Sequence, residues 1–177
     1  LARFFQTLAE QYSHEVRATF ATGKPFTRAL PLAQALHIAT PLICANGALI
    51  KDPVSQETLF CRPMEEQAAK DVIQLLAHDA RCQLYAEVDD TLFFVYNPAI
   101  PPEAWRHMRP GWTKPAAYDP SMDLTHGMKG IPHKIAVSTT PANREDVERL
   151  LRDHFEQRLN IFHPKPDVID LTPKSVD

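Results

Sequence analysis

Over its first 47 residues the chain alternates between helical and extended apolar spacing, and that alternation restricts its possible folds more than any other feature. Leu1, Phe4, Phe5, Leu8 and Tyr12 recur at helical spacing, and Val16 to Thr22 (VRATFAT) follows as a short β-rich run. Gly23 and Pro25 break that run. Phe26 to Leu36 then carries Leu30, Ala33 and Leu36 at helical spacing, with Pro31 read as a first-turn proline. Leu42 to Ala45 is a compact apolar run ending at Asn46-Gly47. Helix, strand, helix, strand in this order predicts parallel strands with helices packed on the sheet, which is α/β logic.

From Ala48 the pattern changes. Ala48 to Lys51 and Glu57 to Cys61 flank the turn-rich Asp52-Pro53-Val54-Ser55, which predicts an antiparallel hairpin. Pro63 is placed at the first position of a helix, with Glu65 and Glu66 near its positive end and Ala69, Val72, Ile73 and Leu76 as its apolar stripe. Strands are expected at Cys82 to Ala86 and Thr91 to Tyr96, joined around Asp89-Asp90, and again at Lys134 to Thr139. A helix marked by Val147, Leu150, Leu151 and Phe155 starts near Thr140-Pro141 or Asn143. Leu159 to His163 and Val168 to Leu171 close the chain as two more strands. The second module is therefore an α+β sheet with its helices on one face.

Composition narrows the function classes. The 177 residues carry 19 basic and 22 acidic side chains, for a net charge of −3, with no block of Lys or Arg. Nothing in that balance attracts nucleic acid or an anionic membrane surface, so neither is expected as a partner. No apolar run approaches the roughly 18 to 20 residues that span a bilayer. The three cysteines, Cys44, Cys61 and Cys82, are odd in number and 17 and 21 residues apart, which reads as a reducing, cytoplasmic setting. Sixteen prolines stand against five glycines, and seven of them (Pro98, Pro101, Pro102, Pro110, Pro115, Pro120 and Pro132) fall in one stretch expected to be mostly loop. A first residue of Leu, with a periodic segment starting at once, is read as a processed product, a trimmed chain or a fragment.

The residue that first draws attention as chemistry is Thr22. A small hydroxyl at the C-terminal end of a parallel strand stands where open α/β sheets place ligands, and the glycine after it lets backbone N–H groups approach an anion. A threonine closing a strand before a turn, and Lys24 as a solvated turn lysine, are the plainer alternatives. Asp89-Asp90 read as turn residues rather than paired acid and base. His126 and His133, with Asp119 and Asp123 nearby, have the donor types for a metal but fit no standard zinc spacing. Trp105, Trp112, Tyr118, His126 and Lys129 either face a ligand from the proline-rich stretch or pack that stretch down.

The segment ATFATGKPFTRALPLAQAL, followed by TPLICANGALI, resembles the second motif and following strand of the haloacid dehalogenase-like phosphatases, specifically the Cof-like subfamily. In that subfamily a strand ends in Thr, continues as Thr-Gly-Arg-Pro and leads to a second strand ending in Asn-Gly-Ala. Here these positions are Thr22, Gly23, Lys24 and Pro25, then Asn46, Gly47 and Ala48. The module after Asn46-Gly47 falls where the subfamily inserts its cap, and VIDLTPKSVD resembles the segment that returns to the core.

The resemblance implies a partial Rossmann-like core with an inserted α+β cap. Residues 1–61 would be core plus linking hairpin, 62–166 cap, and 167–177 return segment. It further implies Mg²⁺-dependent hydrolysis of small phosphorylated metabolites, such as sugar phosphates or phosphorylated cofactors, through an aspartyl-phosphate. Thr22 would be the catalytic residue carried over, its hydroxyl bonding a phosphoryl oxygen, with Asn46, Gly47 and Lys24 as substrate-binding positions. Lys24 departs from the usual Arg, exchanging a bidentate fork for a point charge. The Asp-x-Asp nucleophile motif occurs nowhere in the chain, and the family's core lysine and acidic metal-binding motif would fall beyond Asp177. The expectation is an internal piece of a phosphatase, inactive alone, with no metal ligand of its own and able to self-associate through an exposed sheet edge. The rival reading is a cap-like module that binds a ligand or protein without turning it over.

Overall fold

A computed structural model describes residue 7, residues 17–100, residues 116–118 and residues 124–176 of the chain. It resolves into two compact units, Leu1–Arg62 and Pro63–Asp177. The helix expected over Leu1 to Tyr12 lies outside the described residues apart from position 7.

In the first unit the run ending at Thr22 makes a single parallel bridge, Ala21 to Ile43, in place of the longer strand its composition predicts. Thr22 N–H donates to the Ile43 carbonyl at 2.9 Å, and Ile43 N–H donates to that of Phe20 at 2.8 Å. Two threonine hydroxyls tie the same strands together: Thr19 donates to the Pro41 carbonyl and Thr40 to that of Ala18. Helix α1 (Phe26–Ala35) connects the two sides and buries Phe26, Ala29 and Ala33. Pro31 is its sixth residue, well past the first turn assigned to it from sequence, and it leaves the Thr27 carbonyl without the N–H donor four residues on. Strand β1 (Leu42–Cys44) pairs antiparallel with β2 (Leu49–Lys51), and β2 with β3 (Thr58–Cys61). The β2–β3 hairpin is the expected one. Asp52 Oδ1 accepts from the N–H groups of Val54 and Ser55, both at 2.8 Å, and so closes its turn.

The second unit is a six-stranded sheet. Its elements are α2 (Glu66–Leu76), β4 (Cys82–Val88), β5 (Thr91–Val95), β6 (Ala116–Tyr118), the short α3 (Leu124–Gly127), β7 (Lys134–Thr139), α4 (Arg144–Phe155), β8 (Leu159–Lys165) and β9 (Val168–Pro173). The strand order is β6-β5-β4-β7-β9-β8, antiparallel throughout except for the β5/β6 pair. Alternation along β4 puts Cys82, Leu84, Ala86 and Val88 on one face. There they join Ala69, Val72, Ile73 and Leu76 of α2 and Val147, Leu151 and Phe155 of α4 in one buried cluster. Each Val, Leu, Ile or Phe among these contributes roughly 1.5–3 kcal/mol, so this stripe-on-sheet contact holds the unit together. Helix α2 begins at Glu66, three residues after Pro63, because Glu65 is the extended residue that caps it.

One further difference from the sequence expectation concerns the proline-rich stretch. That stretch, expected to be mostly loop, supplies strand β6, which pairs parallel with β5 as Phe93 to Ala116 and Val95 to Tyr118. Residues 101–115 and 119–123 lie outside the described residues. The VIDLTP segment sits inside the sheet between β7 and β8, with Ile135 opposite Leu171 and Ile161 also opposite Leu171.

Candidate functional site

The bridge between Ala21 and Ile43 brings Thr22, Gly23 and Lys24 beside Ala45, Asn46 and Gly47 at the same end of two parallel segments. Two more backbone bonds join the loops beyond the bridge: Asn46 N–H donates to the Thr22 carbonyl at 3.2 Å, and Ala45 N–H to the Lys24 carbonyl at 3.1 Å. All four sequence-predicted site positions thus meet within the first unit. The Thr22 hydroxyl oxygen accepts from Lys24 N–H at 3.2 Å. A hydroxyl accepting there still has its own proton to donate to a ligand acceptor. Thr22 is half-buried, whereas the Lys24 side chain is exposed.

The turn that carries Asn46 is unusual. Ala45, Asn46 and Gly47 are consecutive left-handed residues with φ of 51°, 56° and 95°. Glycine adopts that region freely and asparagine tolerates it, but alanine does so at a cost, and such conformations persist only where surrounding contacts hold them. Ala45 is fully buried, and Ala48 N–H donates back to its carbonyl at 3.2 Å. Helix α1 starts two residues after Lys24 and directs the positive end of its dipole to this side of the sheet.

The other candidate residues are placed elsewhere. Asp89 and Asp90 are exposed turn residues between β4 and β5, with Asp89 at φ 49°. His126 is exposed and Lys129 lies in a left-handed turn, while His133 is buried with Nε2 3.8 Å from Glu87 Oε2. Asp119, Asp123, Trp105 and Trp112 lie outside the described residues, as does the Tyr118 side chain. A group that the sequence reading missed stands on the sheet face opposite the helices: the buried Lys134 ammonium lies 3.0 Å from Asp170 and 3.6 Å from Glu87. Its signal was present in the strand alternation, where Gln83 and Glu87 share one face of β4 and Leu84 and Ala86 the other.

The family profile of haloacid dehalogenase-like hydrolases matches residues 2–177. The chain belongs to this family. A solved structure from Thermotoga maritima is similar with a TM-score of 0.73 and 21% identity, covering 98% of this chain and 62% of its own. A HAD/COF-like hydrolase from Plasmodium vivax gives 0.73 and 13%, covering 98% and 61%, and a HAD subclass IIB sugar phosphatase gives 0.70 and 13%, covering 99% and 64%. At such identities the likeness is one of fold, and it is the Rossmann-like core and cap that the Cof-like resemblance leads one to expect. The chain spans about three-fifths of the length of these structures. No curated protein matches it.

The Mg²⁺ associated with the family finds no ligand set among the described residues, since no three His, Cys, Asp or Glu side chains gather where they could hold an ion. Among the described residues, no helix is long and apolar enough to cross a membrane.

Proposed function

We propose that this chain is the phosphate-recognising part, with the cap, of a cytoplasmic phosphatase whose whole form hydrolyses small phosphorylated metabolites. In this reading the whole protein is Mg²⁺-dependent and works through an aspartyl-phosphate on a nucleophile that these 177 residues do not include. Thr22 donates its hydroxyl hydrogen to a phosphoryl oxygen. Lys24 and the Asn46-Gly47 turn form the rest of the substrate contact. The observation that carries the proposal is the meeting of Thr22-Gly23-Lys24 with Asn46-Gly47 at one sheet end, in a chain whose family is that of hydrolases. A hydroxyl fixed before the substrate arrives stabilises developing phosphoryl charge without reorganising during the reaction, which is where most of such an effect originates. The sugar phosphatase among the similar folds supports a phosphorylated carbohydrate as one substrate class to try.

The test is hydrolysis of an aryl phosphate with Mg²⁺, by the 177-residue chain and by a chain extended at both ends to the length of its structural relatives. Each is measured beside Thr22→Ala. The expected result is turnover in the extended chain only, reduced about 10²-fold by Thr22→Ala. Turnover by the short chain that disappears in Thr22→Ala would assign the nucleophile to a carboxylate within these residues. An inactive extended chain would favour a binding module.

A further inference from the structure

The carboxamide of Asn46 occupies the space that any side chain on residue 23 would need. A Cβ built on Gly23 would lie 2.3 Å from Asn46 Oδ1, closer than real contacts come, and a tight 3.2 Å from its Cγ, so the carboxamide would have to move. Gly23 does not have a positive φ, so what constrains residue 23 is the space taken by the Asn46 side chain and not backbone freedom. Asn46, by contrast, is held in the left-handed region with φ 56° and ψ 32°. This backbone sends its N–H to the Thr22 carbonyl while its side chain lies against the next residue, Gly23.

We propose that Asn46 is a positioning residue for Thr22: its left-handed backbone and its carboxamide, seated on Gly23, lock the Thr22–Lys24 loop and thereby aim the Thr22 hydroxyl. The lock has three parts. Asn46 N–H holds the Thr22 carbonyl, Ala45 N–H holds the Lys24 carbonyl, and the carboxamide closes over the glycine between them. Within the loop so held, Lys24 N–H fixes Thr22 Oγ1 from the chain's own side, and the hydroxyl proton is delivered to whatever acceptor stands opposite. On this account Asn46 also acts on the Thr22 hydroxyl through Gly23, beyond the substrate contact proposed for the Asn46-Gly47 turn. The inference takes its functional meaning from the proposed phosphoryl contact of Thr22, but the lock stands on geometry alone.

If Gly23 matters only because Asn46 lies on it, the two residues are energetically coupled, and a double-mutant cycle detects that. The variants are Gly23→Ala, Asn46→Gly and the double variant, made in the 177-residue chain. Glycine at position 46 keeps the left-handed backbone and removes only the carboxamide. Two readouts are taken by NMR: amide exchange at Ala45, with Val137 in the second unit as a folding reference, and the response of the Thr22–Lys24 amides to inorganic phosphate. Each single variant is expected to speed Ala45 exchange about tenfold or more and to weaken phosphate binding several-fold. The double variant should be no worse than Asn46→Gly, because the new methyl group then has room. Val137 should not change. Asn46→Asp, which keeps an oxygen at the Oδ1 position, should restore slow exchange at Ala45. Additive single effects, or an Ala45 exchange rate that Gly23→Ala leaves alone, would overturn the proposal. A cycle that behaves as expected in a chain that never responds to phosphate would overturn the phosphoryl reading of Thr22 while leaving the lock in place.

Discussion

At the scale of single residues, environment decides which groups can react, and the cysteines show it most directly. Cys82 begins β4 under α2 and α4, and burial, reinforced by the nearby Asp79 carboxylate, pushes its thiol up to about 12. Cys44 is fully buried in the first unit, whereas Cys61 is exposed on β3. Because the thiolate is the nucleophile, iodoacetamide at about pH 8 should alkylate Cys61 in the folded chain and spare Cys44 and Cys82, with all three reacting in denaturant. Peptide mass spectrometry reads the result, and fast labelling of Cys82 without denaturant would contradict its packing under the helices. The candidate site was legible at this scale only in part. Thr22 and Lys24 were visible from their place at the end of a β-rich run around a glycine, whereas Asn46 and Gly47 entered only through the resemblance to the Cof-like phosphatases. That the Asn46 side chain lies against Gly23 was not visible, since a contact across 23 positions depends on strand pairing and leaves no local pattern. The ion pairs of Lys134 were missed because a charged residue in a strand looks solvent-facing until the burial of that face is known.

At the scale of elements, the strongly periodic segments were legible and the weakly paired ones were not. The stripes of α2 and α4 and the bounds of β7 follow from side-chain alternation and spacing, which sequence displays directly. The run before Thr22 shortens to one bridge, and a strand arises in the proline-rich stretch. Both outcomes depend on which neighbour offers N–H and C=O groups, a tertiary matter that propensity does not encode. Helix α1 shows the same limit. The sequence suggested Pro31 in a first turn, yet the helix starts at Phe26, and the proline stands in its interior on an exposed side. An interior proline removes one helical bond and crowds the preceding turn, so Pro31→Ala should stabilise the first unit by about 1–3 kcal/mol. Part of that gain is offset because alanine leaves the unfolded chain more freedom. Urea unfolding followed by a probe in the first unit measures it. A loss of stability would mean that Pro31 makes contacts that its exposure does not suggest.

At the scale of the whole molecule, the near-neutral charge conceals carboxylates that the fold holds in their ionised form, and these set how the chain responds to acid. Asp79 is kept below the usual carboxylate range by its hydrogen bonds from the Arg81 guanidinium, the closest at 2.6 Å. The Gln67 amide and then Arg158 lower Asp71, and the N–H groups of Ser55 and Val54 lower Asp52. For Glu148 burial acts upward as the largest single influence, but Arg152, His163 and Arg144 together outweigh it, and its carboxyl is lowered too. In each case the folded chain binds a proton less readily than the unfolded chain, whose carboxyls titrate near about 3.9 to 4.3. The resulting stability is therefore fully present above those values and is lost as pH falls through the lower folded ones. Melting temperatures should accordingly hold steady from neutral pH to about 5 and fall steeply below about 4. Arg81→Gln isolates one contribution: it should lower the melting temperature at neutral pH and bring the variant's curve together with that of the native chain at the acid end, where Asp79 is protonated in both. Two curves that stay parallel over the whole range would show that Arg81 stabilises the second unit by packing and that the Asp79 pair does not account for the acid response.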